Sequence, residues 1–107
     1  MAFETLADTL KALADPTRLK ILSLLRTRDC CVCELVPLFN ISQPAISKHL
    51  SRLKTAGLVH ETRRGQWVFY SLNEKKLEET GFALSHLPDL SEWLKELEKQ
   101  GLSVTCE

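Results

Sequence analysis

The 107-residue sequence predicts a single, mainly α-helical domain that carries one β-hairpin. Apolar residues recur at helical spacing over most of the chain, and polar capping residues, prolines and glycines delimit these segments. Residues 58–72 differ, because two runs with strand character, LVHET and QWVFYSL, flank the short link RRG. We expect residues 1–100 to form one domain and residues 101–107 to form a flexible tail.

The first two helices are predicted at residues 3–13 and 16–27. In the first, the apolar positions 3, 6, 7, 10 and 13 share one face. In the second, Asp15 is a suitable N-cap, and Pro16 fits the first helical position. Leucine and isoleucine are too dense in this helix for one narrow face, which places it near the centre of the core.

A third, short helix is predicted at about residues 31–39, with Asp29 as its N-cap. After a tight link, Ser42 caps a fourth helix at residues 43–55, and Gly57 ends it. Asn73 caps a further helical segment, and the last helix covers about residues 90–99. A short helix, a tight turn and a capped helix form a helix-turn-helix, and the hairpin that follows makes it a winged one.

The fourth helix has the composition of a helix that reads DNA. Its apolar residues lie on one side, and its outward side chains are Gln43, Ser47, Lys48, Ser51, Arg52 and Lys54. These short or basic groups suit base edges and phosphates, and no acid lies among them. The alternative is an ordinary solvated helix. His49 is either a phosphate contact or a residue on the flank.

Charge is segregated along the chain, although 14 basic and 14 acidic residues cancel overall. Residues 42–73 hold five cationic residues and one acid, a net charge of +4, whereas residues 74–107 have a net charge of −4. Arg63 and Arg64 lie at the predicted hairpin tip, within reach of the DNA backbone or minor groove. The alternative is an ordinary soluble turn.

The outer helices provide the expected dimer surface, because one recognition helix reads few bases and such proteins usually pair on a two-fold site. We expect that one small domain does not fully cover the apolar stripes of these helices. The expected interface residues are Leu6, Leu10, Leu13, Leu90, Trp93, Leu94 and Leu97.

Three cysteines, Cys30, Cys31 and Cys33, fall within four positions, and the fourth is Cys106. The N-terminus has no signal-peptide pattern, so we expect a reducing, cytoplasmic location that disfavours disulfides. Three thiolates suit a soft three-coordinate ion such as trivalent arsenic better than zinc, which takes four ligands. A zinc, cadmium or lead sensor and a thiol redox switch remain alternatives.

The sequence contains no P-loop and no nucleophile elbow, which disfavours an enzyme.

Helical geometry constrains these thiols. On a regular helix, Cys31 and Cys33 diverge by about 200° and cannot share an ion, whereas Cys30 and Cys33 lie on one side. Binding by all three therefore requires an irregular first turn. Thiols at a helix start are also expected to have a lowered pKa.

Four segments together resemble the ArsR/SmtB family of bacterial metal-sensing winged-helix repressors: ALADPTRLKILSLL, CVCEL, ISQPAISKHLSRLKTAGLV and RRGQWVFYSLN. CVCEL is similar to the motif of the arsenic-responsive branch. The resemblance implies a homodimeric repressor on the operator of a resistance operon, released by arsenite or antimonite. By motif position it implies DNA contacts from Ser42, Gln43, Ser47, Lys48, His49 and Arg52. Cys30 replaces the family's usual leucine, and Val36 replaces a third cysteine found in many arsenic sensors.

Overall fold

The computed structural model describes residues 3–82 and 86–100, so the predicted tail at 101–107 lies outside the described residues. Its elements, in chain order, are α1 (Phe3–Leu13), α2 (Pro16–Thr27), β1 (Cys30–Cys31), α3 (Val32–Phe39), α4 (Gln43–Thr55), β2 (Val59–Arg64), β3 (Trp67–Leu72), α5 (Glu74–Glu79) and α6 (Ser91–Lys99). This arrangement is a winged helix-turn-helix, as the sequence predicts. None of the helices in the described ranges has the length and apolar character needed to cross a bilayer.

Helix α2 lies at the centre of the core. Its N-cap Asp15 accepts a hydrogen bond from the Arg18 backbone N–H, and Pro16 occupies the first position, as expected. Ile21, Leu22 and Leu24 are fully buried. They belong to one apolar cluster with side chains from α3, α4, β2 and α5, so the core fixes the relative positions of these elements.

The turn between α3 and α4 is tight because two residues supply the required conformations. Asn40 adopts the left-handed region at φ 53° and ends α3. Ser42 then caps α4, its hydroxyl accepting a hydrogen bond from the Ala45 N–H at 3.3 Å. These two residues set the direction in which α4 leaves the turn.

The sheet has three antiparallel strands in the order β1-β3-β2. Strands β2 and β3 form the predicted hairpin, here called the wing (residues 59–72). Gly65 occupies its turn at φ 63°, a conformation that glycine adopts at little cost. The sequence did not predict β1. It pairs Cys30 with Tyr70 and Cys31 with Phe69, which places two of the clustered cysteines on the wing sheet.

Candidate nucleic-acid interface and thiol site

The adjacent thiols of Cys30 and Cys31 have different surroundings, because neighbouring residues of a strand point to opposite faces. Cys30 is fully buried and belongs to the apolar core, and its Sγ–H donates to the Arg28 carbonyl at 3.6 Å. Burial raises the pKa of this thiol from its ordinary 9.0 to about 12. The expectation of a lowered pKa is therefore wrong for Cys30, which lies in a strand and not at a helix N-terminus.

Cys31 is the N-cap of α3. Its Sγ accepts a hydrogen bond from the Cys33 N–H at 3.3 Å, and its own N–H donates to the Glu34 carboxylate at 3.0 Å. This reciprocal pair is a capping box. Asp29 was predicted as the cap, and that prediction is wrong. Pairing with β3 keeps residues 30–31 extended, so the helix begins later than expected.

Glu34 is buried at 7% exposure and holds the helix start from two sides. One of its oxygens accepts from Cys31, and the other accepts from the Arg28 guanidinium in an ion pair. Nε of Arg28 is itself buried and has no hydrogen-bond partner among the described residues. The junction between α2 and α3 thus contains a buried polar network that is not completely satisfied.

The three thiols are not assembled as a preformed site. Cys30 and Cys31 are free, whereas Cys33 takes part in a disulfide, contrary to the expectation from the sequence. Within residues 3–82 and 86–100, no group of three or more His, Cys, Asp or Glu side chains is arranged to hold a metal ion. The predicted 200° divergence of Cys31 and Cys33 does not apply, because Cys31 has an extended backbone outside the helix.

The outward face of α4 is exposed, as a DNA-reading face must be. Ile46, Leu50 and Leu53 are fully buried beneath it. The DNA-contact residues predicted on or beside this helix that are exposed are Ser42, Gln43, Ser47, Lys48 and Arg52. Arg52 also lines a cavity of about 760 Å³ between α1, the end of α4 and α5.

His49 is half-buried and faces its own domain. Its Nδ1 lies 3.3 Å from a guanidinium nitrogen of Arg18 in α2. Arg18 also donates to the carbonyls of Lys11 and Ala12, so this cluster joins α1, α2 and α4. This contact is what the flank alternative predicts for His49, and a phosphate contact by His49 stays a prediction.

The wing is tied to both the reading helix α4 and the residue that precedes β1. Glu61 accepts a hydrogen bond from the Tyr70 hydroxyl at 2.7 Å and pairs with Lys54 of α4 at 3.2 Å. These two contacts lower the pKa of Glu61. Arg63 is exposed. Arg64 instead pairs with Asp29 at 3.5 Å and lies over the Phe69 ring at 4.7 Å.

The predicted dimer residues fall into two groups. Leu13 and Leu94 are buried in the core of the single chain, so little of their surface remains for a partner. The residues that keep some exposure are Leu6, Leu10, Leu90, Trp93 and Leu97. Phe3, which was omitted from the expected interface, is 88% exposed and Leu10 is 52% exposed. The apolar stripe of α1 could have identified Phe3, because it shares that stripe with Leu10.

Comparisons with known proteins agree with this geometry. A family model described as "Bacterial regulatory protein, arsR family" matches residues 15–61. The chain is 44% identical over 73 residues to the transcriptional repressor SdpR of Bacillus subtilis, covering 68% of this chain and 81% of SdpR. It is 37% identical over 101 residues to the arsenic resistance transcriptional regulator ArsR2 of Pseudomonas putida, covering 94% of this chain and 72% of ArsR2.

A solved structure extends the likeness to nearly the whole chain. The ArsR-like transcriptional regulator from Rhodococcus sp. RHA1 superposes with a TM-score of 0.68 at 30% identity, covering 96% of this chain and 97% of that chain. The sequence match, the winged fold and the exposed reading helix agree. The chain belongs to the arsR family of bacterial regulatory proteins, and it is a DNA-binding transcriptional repressor and not an enzyme.

Proposed function

We propose that the protein is a homodimeric repressor of a metal(loid)-resistance operon. Arsenite or antimonite binds the thiolates of Cys31, Cys33 and Cys30 and releases the repressor from its operator. One observation supports this most strongly. The cysteines lie at the start of α3, and α3 leads into the reading helix through the tight turn at residues 40–42 and packs against it in the core.

The DNA-bound state uses the face of α4 described above. Its exposed hydroxyl, amide and basic groups can meet base edges and phosphates, and Arg63 at the wing can meet the backbone beside them. Phe3 and Leu10 leave apolar surface exposed on α1, which a second copy would cover. A dimer would then present two reading helices to a two-fold operator.

The donor set suits a trivalent metalloid. Thiolates are the ligands that soft ions prefer, and Cys31 and Cys33 lie next to each other at the capping box. Binding requires Cys33 in its reduced form and requires Cys31 to give up its capping role. Cys30 faces the core, so recruiting it as a third ligand requires β1 to rearrange.

This conflict between ligand geometry and native geometry is the proposed mechanism. The ion favours an open start of α3, whereas DNA favours the capped form, and two ligands that prefer different conformations weaken each other's binding. A coupling of about 1–3 kcal/mol would lower operator affinity about 5–150-fold. Zinc, cadmium or lead could act through the same thiols.

A thiol redox switch is the second candidate function, and the disulfide at Cys33 favours it. In that case oxidation, and not a metalloid, would change the start of α3. The two functions differ in their trigger and share the same DNA-bound state.

The deciding experiment follows operator release by fluorescence anisotropy. Reduced protein on labelled operator DNA is titrated in parallel with arsenite, zinc, cadmium and peroxide. We expect arsenite to release the DNA, and Cys31→Ser and Cys33→Ser to bind the operator but resist release. Release by peroxide but not by arsenite would contradict the metalloid assignment. Loss of operator binding in either serine variant would show that the thiols are structural.

A further inference from the structure

Strand β1 belongs both to the thiol site and to the wing sheet. It pairs with β3, so Cys30 lies opposite Tyr70 and Cys31 lies opposite Phe69. Strand β3 is central and also pairs with β2 along the whole wing, from Val59–Leu72 to Arg64–Trp67. Any movement of the cysteines therefore acts directly on the strand that carries the hairpin.

A second contact reaches the wing from the same place. Asp29, which immediately precedes β1, pairs with Arg64 near the wing tip at 3.5 Å. The Arg64 guanidinium also lies over the ring of Phe69, the residue opposite Cys31. Arg64 thus contacts one residue that immediately precedes β1 and one residue that pairs with β1.

The two contacts have different energetic weights. Asp29 and Arg64 are both about half exposed, and an ion pair in such a position contributes little to stability because water and salt screen it. The pairing of buried Cys30 and Cys31 with β3 is shielded from water and carries more of the coupling. The ion pair orients the tip, and the strand pairing holds the base of the wing.

The wing also contacts the reading helix. Tyr70 lies opposite Cys30, and its hydroxyl donates to Glu61, which pairs with Lys54 near the end of α4. A continuous series of contacts thus runs from β1 through the wing to α4. It does not use the turn at residues 40–42.

We propose that β1 and Asp29 hold the wing in its DNA-binding position, and that a change at the cysteines is transmitted to DNA through displacement of the wing. Arg64 is then a positioning residue and does not contact phosphate. The inference rests on the proposed function only for the identity of the trigger. It adds a second route from the thiols to DNA, distinct from the α3–α4 turn.

The main test needs no ligand. Glu34→Ala removes both the acceptor for the Cys31 N–H and the partner of Arg28, which loosens β1 from inside the chain. Glu74→Ala, an exposed acid in the first turn of α5, is the matched control. Amide hydrogen exchange, followed by mass spectrometry, compares peptides from residues 28–38, 39–46 and 59–72.

We expect Glu34→Ala to raise exchange several-fold in both 28–38 and 59–72, and the control to leave both unchanged. If exchange rises in 28–38 and 39–46 while 59–72 keeps the native rate, the link to the wing is overturned. Should Glu34→Ala fail to fold, Glu34→Gln keeps a hydrogen-bond acceptor but removes the charge that pairs with Arg28, and the same comparison applies.

Arg64 is tested by the salt dependence of operator binding. A phosphate contact removed by Arg64→Ala would reduce the slope of log affinity against log salt by about 1. If Arg64 only positions the wing, Arg64→Ala should weaken operator affinity but keep the wild-type salt slope. Asp29→Asn should give the same result, and Asp29→Glu, which keeps the carboxylate, should restore the affinity. A reduced slope in Arg64→Ala with no effect of Asp29→Asn would overturn the positioning role.

The trigger is tested separately, so that the two proposals can fail independently. Arsenite should raise exchange in 59–72 of reduced wild-type protein but not of Cys31→Ser. Release of DNA with exchange confined to 28–46 would overturn the wing link and leave the proposed function standing. Failure of arsenite to release DNA would contradict the proposed function, and the Glu34→Ala comparison would still decide the wing link.

Discussion

Two neighbouring cysteines show how strongly backbone direction determines side-chain chemistry. Cys30 faces the core, where no water stabilises a thiolate, and its pKa rises to about 12. Cys31 faces the start of α3, where its sulfur accepts a backbone N–H. The difference follows from the alternation of side chains along β1. Both side chains are buried, but only Cys31 contacts the backbone of α3.

Ionisation of Cys30 should destabilise the fold at alkaline pH. Its folded pKa lies above the ordinary 9.0, so the unfolded chain loses its proton first as the pH rises. The stabilising contribution is complete below about pH 9 and is lost between pH 9 and 12, by at most about 1.4 kcal/mol per pH unit. Urea unfolding of reduced protein at pH 8, 9 and 10 should show this decline.

Cys30→Ala is the comparison, and its free energy of unfolding should fall less over the same pH range. Tyr70, whose pKa is raised to about 12 by burial and by its bond to Glu61, adds a similar effect above pH 10. Tyr70→Phe removes the contribution of the Tyr70 hydroxyl, so the pH dependence of stability that remains in this variant includes that of Cys30 but not that of Tyr70. If the free energy of unfolding falls equally with pH in wild type and in Cys30→Ala, ionisation of Cys30 is not the cause of the decline.

At the scale of elements, the reading helix depends on its cap. The Ser42 hydroxyl accepts from the Ala45 N–H at 3.3 Å, which satisfies one of the free donors at the start of α4. Ser42→Ala should lower the free energy of unfolding by about 1 kcal/mol in urea titrations. Ser47→Ala is the matched control inside the same helix. It should leave stability unchanged or slightly raised, because alanine is the better helix former.

Local signals in the sequence predicted the helices well and the thiol site poorly. Asp15, Ser42 and Asn73 cap helices where expected, because capping depends on a few neighbouring residues. Strand β1 could not be predicted in this way. It is two residues long, and it exists because Tyr70 and Phe69, far along the chain, pair with it. The wrong cap at Asp29 follows from the same pairing.

Over the whole molecule, charge is segregated. The net charge of +4 on residues 42–73 coincides with the reading helix and the wing, and the net charge of −4 falls on residues 74–107. This distribution gives a chain of zero net charge one positive face for DNA. The acidic segment includes α6, whose Trp93 packs against Phe39 and Lys20.

Arg52→Ala should therefore weaken operator binding and reduce its salt slope by about 1, since one phosphate contact is lost. Lys99→Ala, an exposed cation in α6, should change neither quantity. Anisotropy titrations at several salt concentrations measure both. An unchanged slope for Arg52→Ala would remove this residue from the phosphate contacts and leave it as a wall of the cavity between α1 and α4.

Because the N-cap of α3 is the sulfur of Cys31, a substitution at this position changes the stability of the helix start as well as the thiol. A thiol is a weak hydrogen-bond acceptor, whereas a serine hydroxyl is among the preferred N-caps. Serine at position 31 thus removes a thiol and at the same time strengthens the start of α3. The proposed mechanism therefore predicts that Cys31→Ser resists release from DNA for two reasons, the loss of a ligand and the gain of a stronger helix cap. Alanine at the same position removes the thiol without adding a better cap, so the pair of substitutions distinguishes a missing ligand from a helix that has become harder to open.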